Sequence, residues 1–329
     1  MQRLIEKLKE LKTKKILVIG DLILDRYTTG SCDRISPEAP VQILKVKEVK
    51  YSIGGAGNTA VNVKTLGSKP YLIGILGEDN EADIFEKELK KREIEDSGIL
   101  VSPYTKTLLK ERIVASNQQL LRIDHTDEIS KDDKHYNHIL NKFEEFDSDI
   151  VIVSDYAKGT LSELLIENII NLCKIKNKQI IVDPRPKHTL SYKNSSFITP
   201  NFKEACEMAK LDVDINNVST DNAKRLSEDL YAKLNSSILL TMAEHGILFY
   251  NGNDFNHFPI FKREVRDVSG AGDTVVAALA VGLANKLDIK EAIYFANHAA
   301  GVKVEKAGVK PVSLNEVIDD IKLHNENTK

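Results

Sequence analysis

Ile16-Leu17-Val18-Ile19-Gly20-Asp21 is a four-residue apolar run that stops at a glycine and an acid. It is too short for a helix and is bounded like a buried strand. Runs of the same kind recur at residues 71–76, 150–153, 179–182, 197–198 and 238–240. Helical patterns separate them, and this alternation predicts an α/β fold: three α/β/α layers around a mostly parallel sheet. Each run ends in a polar junction: Gly20-Asp21, Gly77-Glu78-Asp79, Ser154-Asp155, Asp183-Pro184, Thr199-Pro200-Asn201 and Thr241. In open α/β sheets ligands bind outside the carboxyl ends of the strands. Acids and hydroxyls at so many strand ends therefore outline one candidate site, although turns are polar even where nothing binds.

Two segments break the rhythm. Residues 41–53 alternate partially (Val41, Ile43, Val46, Val49, Tyr51, Ile53), and residues 107–124 resemble a strand pair. A small β-sheet lid over the site is the expectation. No repeat, low-complexity tract or linker appears, so residues 1–329 read as one domain with lid segments near 32–53 and 104–125.

The net charge of −3 gives no basic excess for nucleic acid. No apolar run reaches the roughly 18 residues of a membrane span. At the N-terminus Leu4, Ile5, Leu8 and Leu11 alternate with charges as in an amphipathic helix, unlike a signal peptide. Cys32, Cys173 and Cys206 are odd in number and scattered, as reduced thiols of a cytoplasmic protein would be.

The most specific string is Asp267-Val268-Ser269-Gly270-Ala271-Gly272-Asp273-Thr274, which runs into apolar residues 275–284. Small residues at a helix start leave backbone N–H groups pointing outward, and the helix dipole adds to their pull on an anion. A tight turn capping a buried helix explains one glycine and one acid, but not the second glycine or the central Asp273. A base beside a transferring phosphate explains both. At a helix start Asp273 is expected to have a depressed pKa.

Gly54-Gly55-Ala56-Gly57-Asn58-Thr59-Ala60 precedes a helical stretch. It contains Gly-x-Gly-x-x-Ala, with Glu78 and Asp79 about twenty residues later as in a dinucleotide fingerprint. That fingerprint would normally follow the first strand, which here ends without a glycine loop. No P-loop string occurs. Asn201-Phe202-Lys203-Glu204 reads equally as a capping box or as Asn201 and Glu204 orienting water on Mg²⁺. Arg185, Lys187 and Lys158 follow strand ends and suit a substrate with its own phosphate. His135 and His138 lie in a charged, exposed stretch that does not suggest a metal site. A nicotinamide oxidoreductase or a non-catalytic sugar or nucleotide sensor stays open on these residues alone.

The two glycine motifs, in their order and separation, resemble those of the ribokinase-like (PfkB) family of carbohydrate kinases, and the resemblance covers nearly the whole chain. Strings 20–27, 34–41, 117–124, 154–159, 199–204 and 295–302 resemble the branch that phosphorylates heptose 7-phosphates. The resemblance implies ATP-dependent transfer to the anomeric C1 hydroxyl of D-glycero-β-D-manno-heptose 7-phosphate, for ADP-heptose and surface-glycan or lipopolysaccharide synthesis. It implies Asp273 as general base and the N–H groups of Gly270, Ala271 and Gly272 as anion hole. Asn201, Phe202, Lys203, Glu204, Thr241, Glu244, Gly246 and Asn297 would lie on the nucleotide side. Asp25, Arg34, Gly54, Gly55, Asn58, Asn117, Arg122, Asp124, Lys158 and Arg185 would hold the sugar phosphate. Glu204 would reach Mg²⁺ through water. ATP and Mg²⁺ are the implied cofactors, and a monovalent cation is left open. Lid pairing implies a homodimer. Many relatives carry a fused nucleotidyltransferase with His-x-Gly-His; that motif is absent here, so a separate protein is expected to adenylylate the product. Ser269 replaces the usual threonine, and Arg185 stands where close relatives are expected to have lysine.

Overall fold

Side chains alternate faces along a strand, so each apolar run needs cover on both sides. In the first run Ile16 and Val18 enter one buried cluster while Leu17 and Ile19 enter a second. Ile150 and Ile152 part from Val151 and Val153 in the same way. The computed structural model describes residues 2–326 except 117, 126, 127, 130, 131, 262, 307 and 309.

The chain starts with α1 (Gln2–Lys9), β1 (Lys15–Gly20) and two long strands, β2 (Leu22–Ile35) and β3 (Gln42–Gly55). Then come α2 (Ala56–Thr65), β4 (Lys69–Gly77), α3 (Asn80–Lys90) and β5 (Ile99–Ser102). An antiparallel pair, β6 (Leu108–Ala115) and β7 (Gln118–Asp124), leads to α4 (Asp133–Glu145), β8 (Ile150–Ser154), α5 (Glu163–Ile175) and β9 (Ile180–Asp183). After these come β10 (Phe197–Ile198), α6 (Phe202–Ala209), α7 (Thr220–Leu234), β11 (Ser237–Thr241), β12 (Ile247–Tyr250) and β13 (Phe255–Phe258). Helices α8 (Ala271–Ala284), α9 (Ile289–Val304) and α10 (Leu314–Glu326) complete the fold.

The large sheet has the order β13-β12-β11-β10-β9-β8-β1-β4-β5. It is parallel except for β12, which runs against both its neighbours. One face is covered by α1, α2, α3, α8, α9 and α10, and the other by α4 to α7, giving the expected three layers. α8 is buried from Asp273 to Gly282, as an all-round apolar sequence requires. Among the described residues no helix is long and apolar enough to cross a membrane.

The smaller sheet has the order β3-β2-β6-β7. It begins at Leu22, earlier than the residue near 32 suggested by sequence, because the chain turns at Asp21 and continues as one fourteen-residue strand. β2 is buried at its start and exposed at its end, so the apolar pattern faded where the strand left the core. β5, β12 and β13 were also not expected; each has only four residues.

Candidate functional site

Gly270 adopts φ +78° and caps α8, which brings Asp273 into the first turn of a buried helix. The Ala271 N–H donates to the Val268 carbonyl (3.2 Å), so it is committed to the turn and not turned outward as expected. Among the described residues the N–H groups of Gly270 and Gly272 find no protein acceptor. A Cβ on Gly272 would meet nothing within 4 Å, so space lies open over the turn.

Asp273 is 5% exposed and accepts three hydrogen bonds. Asn58 Nδ2 donates to one oxygen at 2.6 Å; Tyr156 Oη and Thr59 Oγ1 donate to the other at 2.8 and 3.2 Å. Its pKa is raised, which overturns the depressed value expected from the helix start. Burial outweighs the donors and the Arg185 charge that favour the anion. Asp273 is thus a stronger base than an exposed carboxylate.

Three further carboxylates gather at strand ends. Asp21, after β1, is fully buried and accepts the N–H groups of Tyr156 (2.9 Å), Lys158 (3.1 Å) and Thr160 (3.0 Å). Asp155, after β8, accepts from Tyr192 Oη at 2.7 Å and lies 2.7 Å from His188 Nδ1. Asp183 ends β9, and its pKa is pushed up to about 7 by burial and by the charges of Asp273 and Asp155, with Arg185 opposing. A folded pKa above the ordinary carboxyl value of 3.8 means that protonation favours the fold. The stability Asp183 contributes is full below pH 3.8 and is lost as pH rises through about 7. Denaturation midpoints at pH 5 and pH 8 should therefore fall less for Asp183→Asn than for the parent chain; equal falls would contradict this coupling.

The smaller sheet supplies the opposite wall. Asp25 pairs with Arg112, and the β2–β6 register sets Asp25 beside Lys110. Lys110 faces Asp124 across β6 and β7, and Arg112 faces Arg122, which binds Asp124 at 3.0 and 3.2 Å. Burial lowers the Lys110 pKa, Asp25 and Asp124 oppose that shift, and Arg112 and Arg122 add to it. Lys110 Nζ lies 5.4 Å and the Arg185 guanidinium 4.8 Å from the Tyr156 ring centroid. Cations from both sheets thus converge on the side chain that holds Asp273.

Gly54 makes room for a side chain of the protein and Gly55 for its backbone. A Cβ on Gly54 would collide with the Asp25 carboxylate, and one on Gly55, at φ +58°, with the Asp21 carbonyl. Asn58 likewise spends its amide on Asp273. Arg34 is not brought to this cluster. It lies nine residues beyond Asp25 on β2, about 30 Å at the strand rise, and is exposed. Asn117 lies outside the described residues.

On the opposite flank both halves of the Asn201–Glu204 capping box are formed, at 2.9 Å each. Glu204 also pairs with Arg185. The Phe202 ring is buried in the core, so only its backbone can face a ligand, while Lys203 is exposed. Thr241 forms a bridge with Asn201. Glu244 is exposed in the short turn Ala243–His245. At Gly246, φ +85°, a Cβ would collide with the Phe258 carbonyl. Asn297 donates to the carbonyls of Phe258 (3.3 Å) and Pro259 (3.0 Å), so its amide ties α9 to the end of β13. The Lys158 backbone is anchored on Asp21, and its side chain is part-exposed.

Sequence reasoning missed Lys110, Arg112 and Thr59, and gave Tyr156 no role. Thr59 follows Asn58 at the start of α2, a position next to a residue already singled out. Lys110 and Arg112 alternate on β6, so both side chains leave the same face. That signal was available, but the partner strand was not.

The model for the pfkB family of carbohydrate kinases matches residues 13–315. The chain is 40% identical over 322 residues to the bifunctional protein HldE of Aliarcobacter butzleri, covering 96% of this chain and 66% of that one. With the bifunctional protein HldE of Helicobacter pylori the identity is 40% over 308 residues, covering 92% and 65%. The chain thus spans about two thirds of the length of these curated relatives. In fold it is similar to phosphofructokinase-2 from Escherichia coli in complex with potassium (TM-score 0.79, 15% identity, 97% and 100% covered). It is also similar to Arabidopsis thaliana ribokinase complexed with ribose and ATP (TM-score 0.72, 19% identity, 94% and 99% covered). The match over most of its length places this chain in the pfkB family of carbohydrate kinases.

Proposed function

We propose that the chain transfers the γ-phosphoryl group of ATP to the anomeric C1 hydroxyl of D-glycero-β-D-manno-heptose 7-phosphate, giving the 1,7-bisphosphate. The observation that carries the kinase chemistry is the buried Asp273 carboxylate beside the N–H groups of Gly270 and Gly272, which have no acceptor among the described residues. Asp273 takes the hydroxyl proton, and Tyr156, Thr59 and Asn58 fix the direction of its oxygens. The pKa of Tyr156 is raised well above 10 by burial and by Asp273, so it stays a donor throughout. The N–H groups of the turn receive the oxygens of the transferring phosphoryl group, where positioning and charge neutralisation matter most.

Lys110, with Arg112, Arg122 and Arg185 (each paired with a carboxylate of the protein), supplies the cationic groups suited to the sugar's own phosphate. Burial, with the charges of Asp273 and Asp155, lifts Asp183 to about 7, and a buried carboxylate among others fits a divalent cation. Glu204, through water, and Asp183 are the residues that would hold Mg²⁺, which when bound supplies charge neutralisation to the phosphates of ATP.

The test is ADP release with a panel of sugars and sugar phosphates. Heptose 7-phosphate should be turned over at least about tenfold faster than ribose or fructose 6-phosphate, a floor well below the ~10⁴-fold that unpaired polar contacts can reach. Equal rates would sink the heptose assignment while leaving a sugar kinase. The same reading expects a homodimer through the smaller sheet, where Ile35, Val46 and Leu121 are 69%, 53% and 56% exposed. A particle of 36.8 kDa in sedimentation would overturn that part.

A further inference from the structure

Lys303 is 1% exposed, among the largest fully buried side chains of the protein. It lies in the last turn of α9, where unpaired carbonyls favour a cation. Its ammonium donates to the Gly308 carbonyl at 3.0 Å. Burial pulls its pKa below the usual lysine value, Asp267 and Asp273 oppose that, and Lys306 adds to it. A methionine would fill similar volume without the desolvation penalty of a buried charge.

The surroundings indicate what the charge is for. Asp267 opens the turn that leads to Asp273. One of its carboxylate oxygens accepts the Ser269 N–H and the other the Gly308 N–H, both at 2.9 Å. The N–H groups of Arg266 and Asp267 donate to the Val304 carbonyl at 2.8 and 3.1 Å. The end of α9 and the start of the turn are therefore stitched together where a carboxylate and a carbonyl share the field of one buried ammonium.

We propose that Lys303 is a built-in monovalent cation that holds the turn from Asp267 to Gly272 in its anion-binding shape, so that no free monovalent cation is needed there. Lys303 is a positioning residue, and the proposal rests on the reading of that turn as the phosphoryl site. The Gly308 carbonyl takes the ammonium directly, and the Gly308 N–H holds the Asp267 carboxylate, so the charge that a free cation would bring to this joint is already supplied by the side chain.

The test compares the full chain with Lys303→Ala and Lys303→Met in potassium chloride and in tetramethylammonium chloride at equal ionic strength. The readouts are the ligand-free Tm and the Kd for ATP. The parent chain should give the same values in both salts. In tetramethylammonium, Lys303→Ala should lose at least about tenfold in ATP affinity, the scale of one charged hydrogen bond. Potassium or methylammonium should restore it, because truncation leaves room for either. Lys303→Met, which fills the room without charge, should lose affinity and not be rescued.

A several-fold gain of the parent chain in potassium would overturn the proposal, and so would unaltered ATP affinity of both variants in tetramethylammonium. Should Lys303→Ala not fold, Lys303→Met and the salt comparison of the parent chain decide. If the parent chain bound no ATP in either salt, the phosphoryl-site reading would fail instead. The ligand-free Tm values would still judge Lys303, with potassium expected to raise only that of Lys303→Ala.

Discussion

Asp273→Asn should fold, bind ATP and sugar phosphate, and lose at least about a hundredfold in turnover, the lower end of what a positioned base contributes. The fold should survive because the new amide keeps an oxygen for Tyr156 and Thr59. Its NH₂ would then face the Asn58 amide, and rotation of that amide by half a turn restores a donor–acceptor pair. The loss should fall on turnover and not on KM, because the carboxylate acts where the proton leaves. The raised pKa of Asp273 adds a pH signature: turnover should fall as pH drops, beginning above the range of an exposed carboxylate. Near-normal turnover in the variant would remove Asp273 from the mechanism.

Asp21→Ala should cost about 2–4 kcal/mol of stability, because it removes the shared acceptor of one buried and two part-buried N–H groups at once. Those groups belong to Tyr156, Lys158 and Thr160, so the loop that carries Tyr156 to Asp273 loses its anchor. Burial and the Asp155 charge raise the pKa of Asp21, so the anion itself is held at some cost. Asp21→Asn should therefore lose less, keeping an acceptor and removing the charge. Urea midpoints provide the measurement. A loss below about 1 kcal/mol for Asp21→Ala would show that the loop is held by something else.

The layered sheet was legible because its strands announce themselves locally. β1, β4, β8, β9, β10 and β11 are apolar runs that end in polar junctions, and the parallel rhythm follows from their spacing. β2 was not legible past its first turn, since its far half trades buried residues for exposed ones and no period survives the change. The Gly270–Asp273 turn could be read as an anion hole because glycine and helix end are local facts. The pKa of Asp273 could not, because the groups that bury and bind it come from α2 and the loop after β8. Arg34 matched a family string, and the structure places it at the exposed far end of β2. Lys303 drew no attention from the sequence, because its burial depends on how α9 packs and not on its neighbours in the chain.

In the proposed reaction Asp273 and the turn before it deliver the γ-phosphoryl group of ATP to the anomeric oxygen of a heptose 7-phosphate. Phosphorus NMR of the full chain with ATP and synthetic D-glycero-β-D-manno-heptose 7-phosphate tests it most directly. A new anomeric phosphate resonance should grow in step with ADP, while the 7-phosphate signal is retained. ADP without a second sugar-phosphate resonance, or a new phosphate at another carbon, would contradict it.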